Sequence, residues 1–159
     1  PVQNRDKGMK IHTLHYSCLL NASADQVCAF HTDTRNLTLI TPPWIGVDIV
    51  RADIPVKEHS RIVLDIRRFG FKTRWEMEIA ELDCPHTVTD VMLSGPFPHF
   101  RHERRFFPQL NGETLMEETL SIVLPFGWLG NLFFPFLKKD MDTMFAFRHR
   151  ATERYFLTH

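Results

Sequence analysis

The sequence predicts an α+β fold in which one curved, seven-stranded antiparallel sheet wraps around a long C-terminal helix. Three observations carry that expectation. Six strand-like runs follow one another between residues 46 and 124 with only short links between them. One further strand and two short helical segments precede them, and an amphipathic stretch of helical period closes the chain. Short links make consecutive antiparallel neighbours the default arrangement. A single sheet has one face to cover, and the closing helix is the available cover.

The elements follow in order. Residues 10–20 (KIHTLHYSCLL) alternate apolar and polar side chains as a strand does. Ser23, with Gln26 three residues on, forms a capping-box pattern ahead of ADQVCAFHTD, which predicts a helix of about three turns. A second helical turn over 34–40 ends at Thr41-Pro42-Pro43-Trp44, because the residue before a proline avoids the helical region. Strands are predicted over 46–52, 61–69, 71–82, 87–94, 99–107 and 114–124, bounded by Gly, Pro and Asn. Residues 129–157 then read as helix, with Pro135 allowing either a kink or a fresh start in its first turn. From Pro135 onward the rod is roughly 33 Å long at 1.5 Å per residue. Its apolar stripe is Phe136, Leu137, Met141, Met144, Phe145, Phe147 and Tyr155, while Asp140, Arg148 and Arg150 bring charge.

Composition bounds the function. A chain of 159 residues fits one domain, placed at 9–159 behind a polar tail at 1–8, with Met9 as an alternative start. At 43% apolar and 24% charged residues it is globular rather than disordered. Nineteen basic residues balance nineteen acidic ones, which excludes nucleic-acid binding through bulk charge. The odd set Cys18, Cys28 and Cys84 contains no close metal-type pair. It suggests neither a disulfide framework nor a metal site and points to a reducing, cytoplasmic setting. No secretory signal is expected at the polar start. The charge-free stretch 122–137 is interrupted by Pro125, Gly127, Gly130, Asn131 and Pro135, and is too short to span a membrane. Fourteen Phe and three Trp are more aromatic bulk than a plain core requires and suit the walls of a pocket, although a Phe-rich packed core accounts for them as well.

Strand parity shows which residues share the inner surface. Over 71–82 the inner set is Phe71, Trp75, Met77 and Ile79, with Arg74, Glu76 and Glu78 outside. A two-residue turn at Asp83-Cys84 sets Val88 opposite Ile79 and Asp90 opposite Met77, so Val88, Asp90 and Met92 point inward. The Ser94–Pro98 link then sets Met92 opposite Phe100 and Asp90 opposite His102, which puts Phe100, His102, Arg104 and Phe106 on the same face. A three-residue or bulged turn around Asn111-Gly112 brings in Met116, Glu118, Leu120 and Ile122, with Arg104 facing Glu118. Four ionisable residues, Asp90, His102, Arg104 and Glu118, thus gather on the apolar side. Buried charges are tolerated when paired, and by sign these pair Asp90 with His102 and Arg104 with Glu118. Three roles are open to them: a structural network, a polar patch that orients a ligand, or an acid–base pair with His102 as general base held by Asp90.

Other signals are weaker. His12-x-x-His15 and His99-x-x-His102 put their imidazoles on opposite strand faces, so no metal site is expected. Cys28 reads as a small core residue rather than a nucleophile. The arginines Arg101, Arg104 and Arg105 with Arg67 and Arg68 are open to a phosphate, but solvated strand faces explain most of them. The stretch from Phe126 to Phe136 (FGWLGNLFFPF) is either packing under the long helix or a hydrophobic lip that meets a membrane or a partner.

Several strings resemble the START-like, or SRPBCC, superfamily with the helix-grip fold, and in particular bacterial ligand-binding members of polyketide cyclase/dehydrase type. They are MKIHTL from Met9, LTLITPPW ending at Trp44, TRWEMEI around Trp75, TDVMLSGPFPHFRHERRF from Thr89 to Phe106, ETLSIVLPFGWLG and MFAFRHR. Together they cover residues 9–156. In the related group the GPF string is followed by Trp-x-His-x-His, where this chain has Phe100, His102 and Arg104; the acidic position before the Pro-Phe-Gly turn falls on Glu118. The resemblance implies a seven-stranded sheet gripping the C-terminal helix around a hydrophobic cavity. Members bind lipids, sterols, quinones or polyketides, and some catalyse cyclisation or dehydration.

The expectation is therefore a domain that binds an apolar or amphipathic small molecule between sheet and helix. Trp75, Met77, Met92, Phe100, Met116, Leu120, Met144 and Phe147 form the wall, and Asp90, His102, Arg104 and Glu118 orient the polar end of the ligand. No cofactor, metal or nucleic acid is called for. The chain is expected to be a monomer or homodimer, and peripheral membrane contact is compatible with the lip. The rivals are a cyclase or dehydratase using His102 and Asp90, and an interaction module docking through Phe126 to Phe136.

Overall fold

Seven strands of alternating side-chain character pair into one sheet in the computed structural model, which describes residues 9–159; the expected tail at 1–8 lies outside the described residues. The strands are β1 (Ile11–Leu20), β2 (Gly46–Ala52), β3 (Arg61–Arg68), β4 (Phe71–Asp83), β5 (Thr87–Ser94), β6 (His99–Pro108) and β7 (Thr114–Val123). Their order is β1-β7-β6-β5-β4-β3-β2, with every pair antiparallel. Each strand from β2 to β7 lies beside its sequence neighbour, and β1 adds to the far edge against β7.

The links between strands set the register. Asp90 lies opposite His102 and Arg104 opposite Glu118, as parity requires. The β4–β5 register differs from expectation: Val88 sits opposite Leu82, Asp90 opposite Ile79 and Met92 opposite Met77. The cause is a longer link, Cys84 to His86, together with bulges between Glu76 and Met77 and between Ile79 and Glu81. A bulge inserts a residue and restores parity, so Val88 is still turned into the core.

Between β1 and β2 stand α1 (Ala24–Thr32) and a 3₁₀ segment (Thr34–Leu39). Ser23 caps α1 through the reciprocal box: its Oγ accepts from the Gln26 N–H at 3.3 Å, and Gln26 Oε1 accepts from the Ser23 N–H at 3.0 Å. Contrary to the cysteine arithmetic, Cys28 of α1 is joined by a disulfide to Cys84 in the β4–β5 turn, 56 residues away. The bond ties helix to sheet, and the separation hides it from a search for closely spaced pairs. Cys18 stays free and buried.

After β7 the chain makes α2 (Gly127–Leu132) and then α3 (Phe134–Thr158). Pro135 falls in the first turn of α3, so it starts a new helix rather than kinking a continuous one. Gly130 is needed where it stands, because any side chain there would collide with the Pro125 carbonyl oxygen. The buried stripe of α3 is Met141, Phe145, His149 and Thr152. Two members of the expected stripe lie elsewhere: Phe136 is exposed, and Phe147 packs edge-on against Trp44 at 5.7 Å. Two core clusters result. One holds Leu20, Val27, Val88, Phe106 and Met116; the other holds Leu14, Met77, Phe100, Leu120 and Phe145.

Candidate functional site: a cavity between sheet and helix

The concave sheet face and α3 do not meet along their whole length, and a cavity of about 330 Å³ remains between them. Its apolar wall comes from strands (Ile62, Leu64, Trp75, Met77, Phe100, Leu120) and from α3 (Leu137, Met141, Met144, Phe145). The segment after α1 closes one side with Leu37, Ile40 and Ile45. The polar wall contains Asp90, His102, Arg104 and Arg148, and an Arg68–Asp140 ion pair joins β3 to α3 along the lining. Burial, opposed by Arg68, pushes the Asp140 carboxyl above its ordinary range.

Of the residues expected at the site, Trp75, Met77, Asp90, Phe100, His102, Arg104, Leu120 and Met144 line the cavity. Four do not. Met116 is sealed in the other core cluster, which Val27 and Cys28 of α1 and Phe156 near the end of α3 fill. Met92 packs partly buried beside Phe100's cluster, near the end of β5, without reaching the cavity. Phe147 falls outside the buried stripe of α3, and Glu118 sits behind the lining, 2% exposed.

The four ionisable groups do come together, with their expected partners exchanged. Glu118 Oε2 receives a hydrogen bond from His102 Nε2 at 2.6 Å, and Arg104 Nη2 donates to Asp90 Oδ1 at 2.7 Å. The pairs set directly opposite by register are longer: His102 Nδ1 to Asp90 Oδ1 is 3.9 Å, and Arg104 Nε to Glu118 Oε2 is 3.8 Å. Diagonal neighbours on adjacent strands are within reach of long side chains. Asp90 and Glu118 flank β6 from its two sides, so Arg104 extends diagonally to one while the shorter imidazole turns to the other.

The fifth member is His149 of α3, whose Nε2 donates to Glu118 Oε1 at 2.6 Å. Its position in the sequence carries a usable signal. It lies four residues after Phe145 and eight after Met141, so helical period alone puts it on the buried stripe. Burial pulls the Glu118 carboxyl upward, but the two imidazole hydrogen bonds and the nearby positive charges outweigh it and hold the group well below the ordinary range. An anionic Glu118 requires Nε2–H on both histidines. His102 Nδ1 is then left to accept from Arg104 Nη2 at 3.3 Å, so both of its ring nitrogens are engaged.

Three further groups at or beside the lining have no distinctive sequence pattern. Arg148 lines the cavity with its Cζ 5.6 Å from the Phe145 ring centroid, and its guanidinium has no hydrogen-bond or ion-pair partner among the described residues. His31 lines it too; burial, then the charge of Arg104, pushes its imidazole down to about 3, and its buried Nε2 is unpartnered. Tyr16 stacks on Phe145 at 4.2 Å and donates to Asp142 Oδ1 at 2.8 Å. Burial, then the Glu118 charge, pushes the Cys18 thiol up to about 12, which disqualifies it as a nucleophile.

Outside the cavity, His12 bonds Asn131 at 2.8 Å and stacks on Phe134, while His15 meets Thr119, so the two imidazoles face apart. Among the described residues no group of three or more His, Cys, Asp or Glu could hold a metal ion. No described helix is long and apolar enough to cross a membrane. Phe126, Trp128, Leu132, Phe133 and Phe136 are each more than 60% exposed, so most of the stretch from Phe126 to Phe136 is a surface lip rather than packing.

Over residues 20–148 the sequence matches the family described as polyketide cyclase / dehydrase and lipid transport. The chain belongs to that family. Solved structures agree on its fold. The protein TTHA0849 from Thermus thermophilus is 18% identical with a TM-score of 0.75, covering 92% of this chain and 98% of that one. A START superfamily protein from Mycobacterium smegmatis is 18% identical with a TM-score of 0.69 over the same shares. The ZhuI aromatase/cyclase from Streptomyces sp. R1128 is 17% identical with a TM-score of 0.73, covering 92% of this chain and 93% of that one. At these identities the likeness establishes the helix-grip architecture alone. No curated protein matches the sequence significantly. For this member of the polyketide cyclase/dehydrase and lipid-transport family, the chemistry has to be argued from its own cavity.

Proposed function

We propose that the chain binds a hydrophobic or amphipathic small molecule, of lipid, quinone, sterol-like or polyketide-like kind, in the cavity between sheet and α3, without transforming it. The observation that carries this is a cavity of about 330 Å³ with a mostly apolar wall and a few hydrogen-bonded polar groups, the network around His102 and Arg104 and the Arg68–Asp140 pair. Such a combination is the usual form of a small-molecule site: apolar area supplies affinity and a few convergent polar groups supply orientation. The family match and the START superfamily neighbour support the same reading.

The cyclase or dehydratase alternative draws support from the family description. It needs His102 to take a proton from the substrate, and the geometry argues against that. Asp90 is held by Arg104, and both ring nitrogens of His102 are occupied by protein partners. A general base must offer a lone pair within hydrogen-bond reach of the proton it removes.

The docking alternative draws support from the exposure of the lip. It predicts co-sedimentation with liposomes that Trp128→Ser and Phe133→Ser abolish; recovery of the protein only in the supernatant would end it.

Native mass spectrometry of the protein purified from its own host tests the binding proposal. A small-molecule adduct that leaves on denaturation is expected. A bare mass, combined with no uptake of any neutral apolar probe, would overturn it.

A further inference from the structure

Beside the self-balanced Arg68–Asp140 pair, Asp90 and Glu118 on or behind the polar wall balance Arg104 and Arg148 in formal charge. Their hydrogen bonds do not balance. Both oxygens of Glu118 are taken by His102 and His149, and Asp90 receives Arg104. Arg148 is close enough to Glu118, Arg104 and Asp90 for their charges to act on it. Yet no carboxylate lies within 4.0 Å of its guanidinium, which makes no hydrogen bond among the described residues; only its backbone carbonyl is engaged, by Thr152. Arg148 is half-buried, on the cavity lining. A guanidinium carries five N–H donors, and those that no protein group takes are open to an acceptor in the cavity. By contrast, the Nε atoms of Arg104 and Arg68 and the Nε2 of His31 are sealed without partners, although all three residues line the same cavity. Arg148 therefore presents accessible charged donors to the cavity that no described protein group takes.

We propose that the guest carries an oxyanion, a carboxylate, phenolate or enolate, which Arg148 receives on the polar wall; this rests on the cavity binding a guest at all. The rest of the guest lies along Trp75, Phe100, Leu120 and Met144. The class implied is an acidic amphipathic molecule, such as a fatty acid or a phenolic polyketide, in preference to a neutral sterol or an alcohol of the same body.

Two fluorescent probes test this, because they share one aromatic body and differ in a single anionic group. They are N-phenyl-1-naphthylamine, which is neutral, and 8-anilinonaphthalene-1-sulfonate, whose sulfonate stands for the oxyanion of the guest. Both are titrated against the wild type, Arg148→Gln and Arg148→Lys. Binding to the exposed lip is subtracted with Met144→Trp, which fills the cavity. In Arg148→Gln the sulfonate probe is expected to weaken by about tenfold to a hundredfold, the scale of one charge-assisted hydrogen bond. The neutral probe should change by less than about twofold, and Arg148→Lys should recover part of the loss. The Arg148 guanidinium contacts no protein acceptor, so its replacement leaves none unpaired, and thermal midpoints are compared to verify folding. If both probes respond alike to Arg148→Gln, the oxyanion proposal is overturned while the cavity proposal stands. If the neutral probe binds the wild type no better than Met144→Trp, the cavity proposal fails and takes this one with it.

Discussion

Replacing Glu118 with Gln removes one buried charge at nearly constant volume and so isolates what the carboxylate does. In the wild type two imidazole N–H groups donate to it at 2.6 Å each, and it is 2% exposed. A hydrogen bond to a charged group contributes roughly 1.5–3 kcal/mol and a neutral one about 1 kcal/mol. The Gln oxygen can accept from one histidine, but its NH₂ then meets the Nε2–H of the other, which has to change tautomer or lose its partner. Relief of the buried charge's desolvation offsets part of this. A net loss of about 2–4 kcal/mol follows, or roughly 4–16 °C in thermal midpoint for a domain of this size. Urea denaturation of both proteins at pH 7 measures it. The pH dependence supplies an independent sign. Glu118 titrates well below its ordinary value of 4.5 in the folded state. As pH falls below that ordinary value the unfolded chain takes up the proton first, so the carboxylate's contribution is complete above it and is lost as pH falls through the folded pKa. The gap between wild type and Glu118→Gln should be widest at neutral pH and close in acid. A variant within about 0.5 kcal/mol of wild type at pH 7, with a gap that does not change with pH, would refute the account of this network.

Three other expectations can be checked separately. Closing a loop of 56 residues restricts the unfolded chain, so Cys84→Ser should lower stability by about 4 kcal/mol in the loop-entropy model; mass spectrometry finding three free thiols under non-reducing conditions would contradict the Cys28–Cys84 bond. Phe145 is 2% exposed against Tyr16 and the cavity, so Phe145→Ala should cost about 3–5 kcal/mol by denaturant titration; a loss under about 1 kcal/mol would mean that the ring is not packed as described. Ser23→Ala removes the Oγ half of the α1 capping box and should cost about 1 kcal/mol by denaturant titration, while Gln26 Oε1 keeps its bond from the backbone N–H of residue 23; no measurable loss would contradict the cap.

Much of the architecture is legible in the residues because local signals agree with the global fold. Ser23 and Gln26 announce α1, and Pro135 marks a helix start. Parity across β5, β6 and β7 gathers Asp90, His102, Arg104 and Glu118 on one face. Parity says which residues share a face; it does not say which atoms bond. The partners are exchanged because the diagonal geometry of Arg104 and the arrival of His149 from α3 both depend on three-dimensional placement. The β4–β5 register departs from expectation because bulges have no strong signature of their own in a strand of ordinary composition. The wall is only partly legible. Met116 and Leu120 share one face of β7, yet Met116 lies in the other core cluster and only Leu120 reaches the cavity. Where along a strand the core gives way to the cavity depends on how α1 and the successive turns of α3 dock on the sheet, and no local pattern encodes that docking. The disulfide is hidden for a related reason: Cys28 and Cys84 meet only when helix and turn are docked.

The most direct test is a crystal structure of the protein soaked with N-phenyl-1-naphthylamine, a neutral guest that needs no anion site. Density for its rings enclosed by Trp75, Phe100, Leu120 and Phe145 is the result expected. Density confined to the exposed side chains of Trp128 and Phe133, with the space beneath α3 collapsed, would contradict a guest-holding interior.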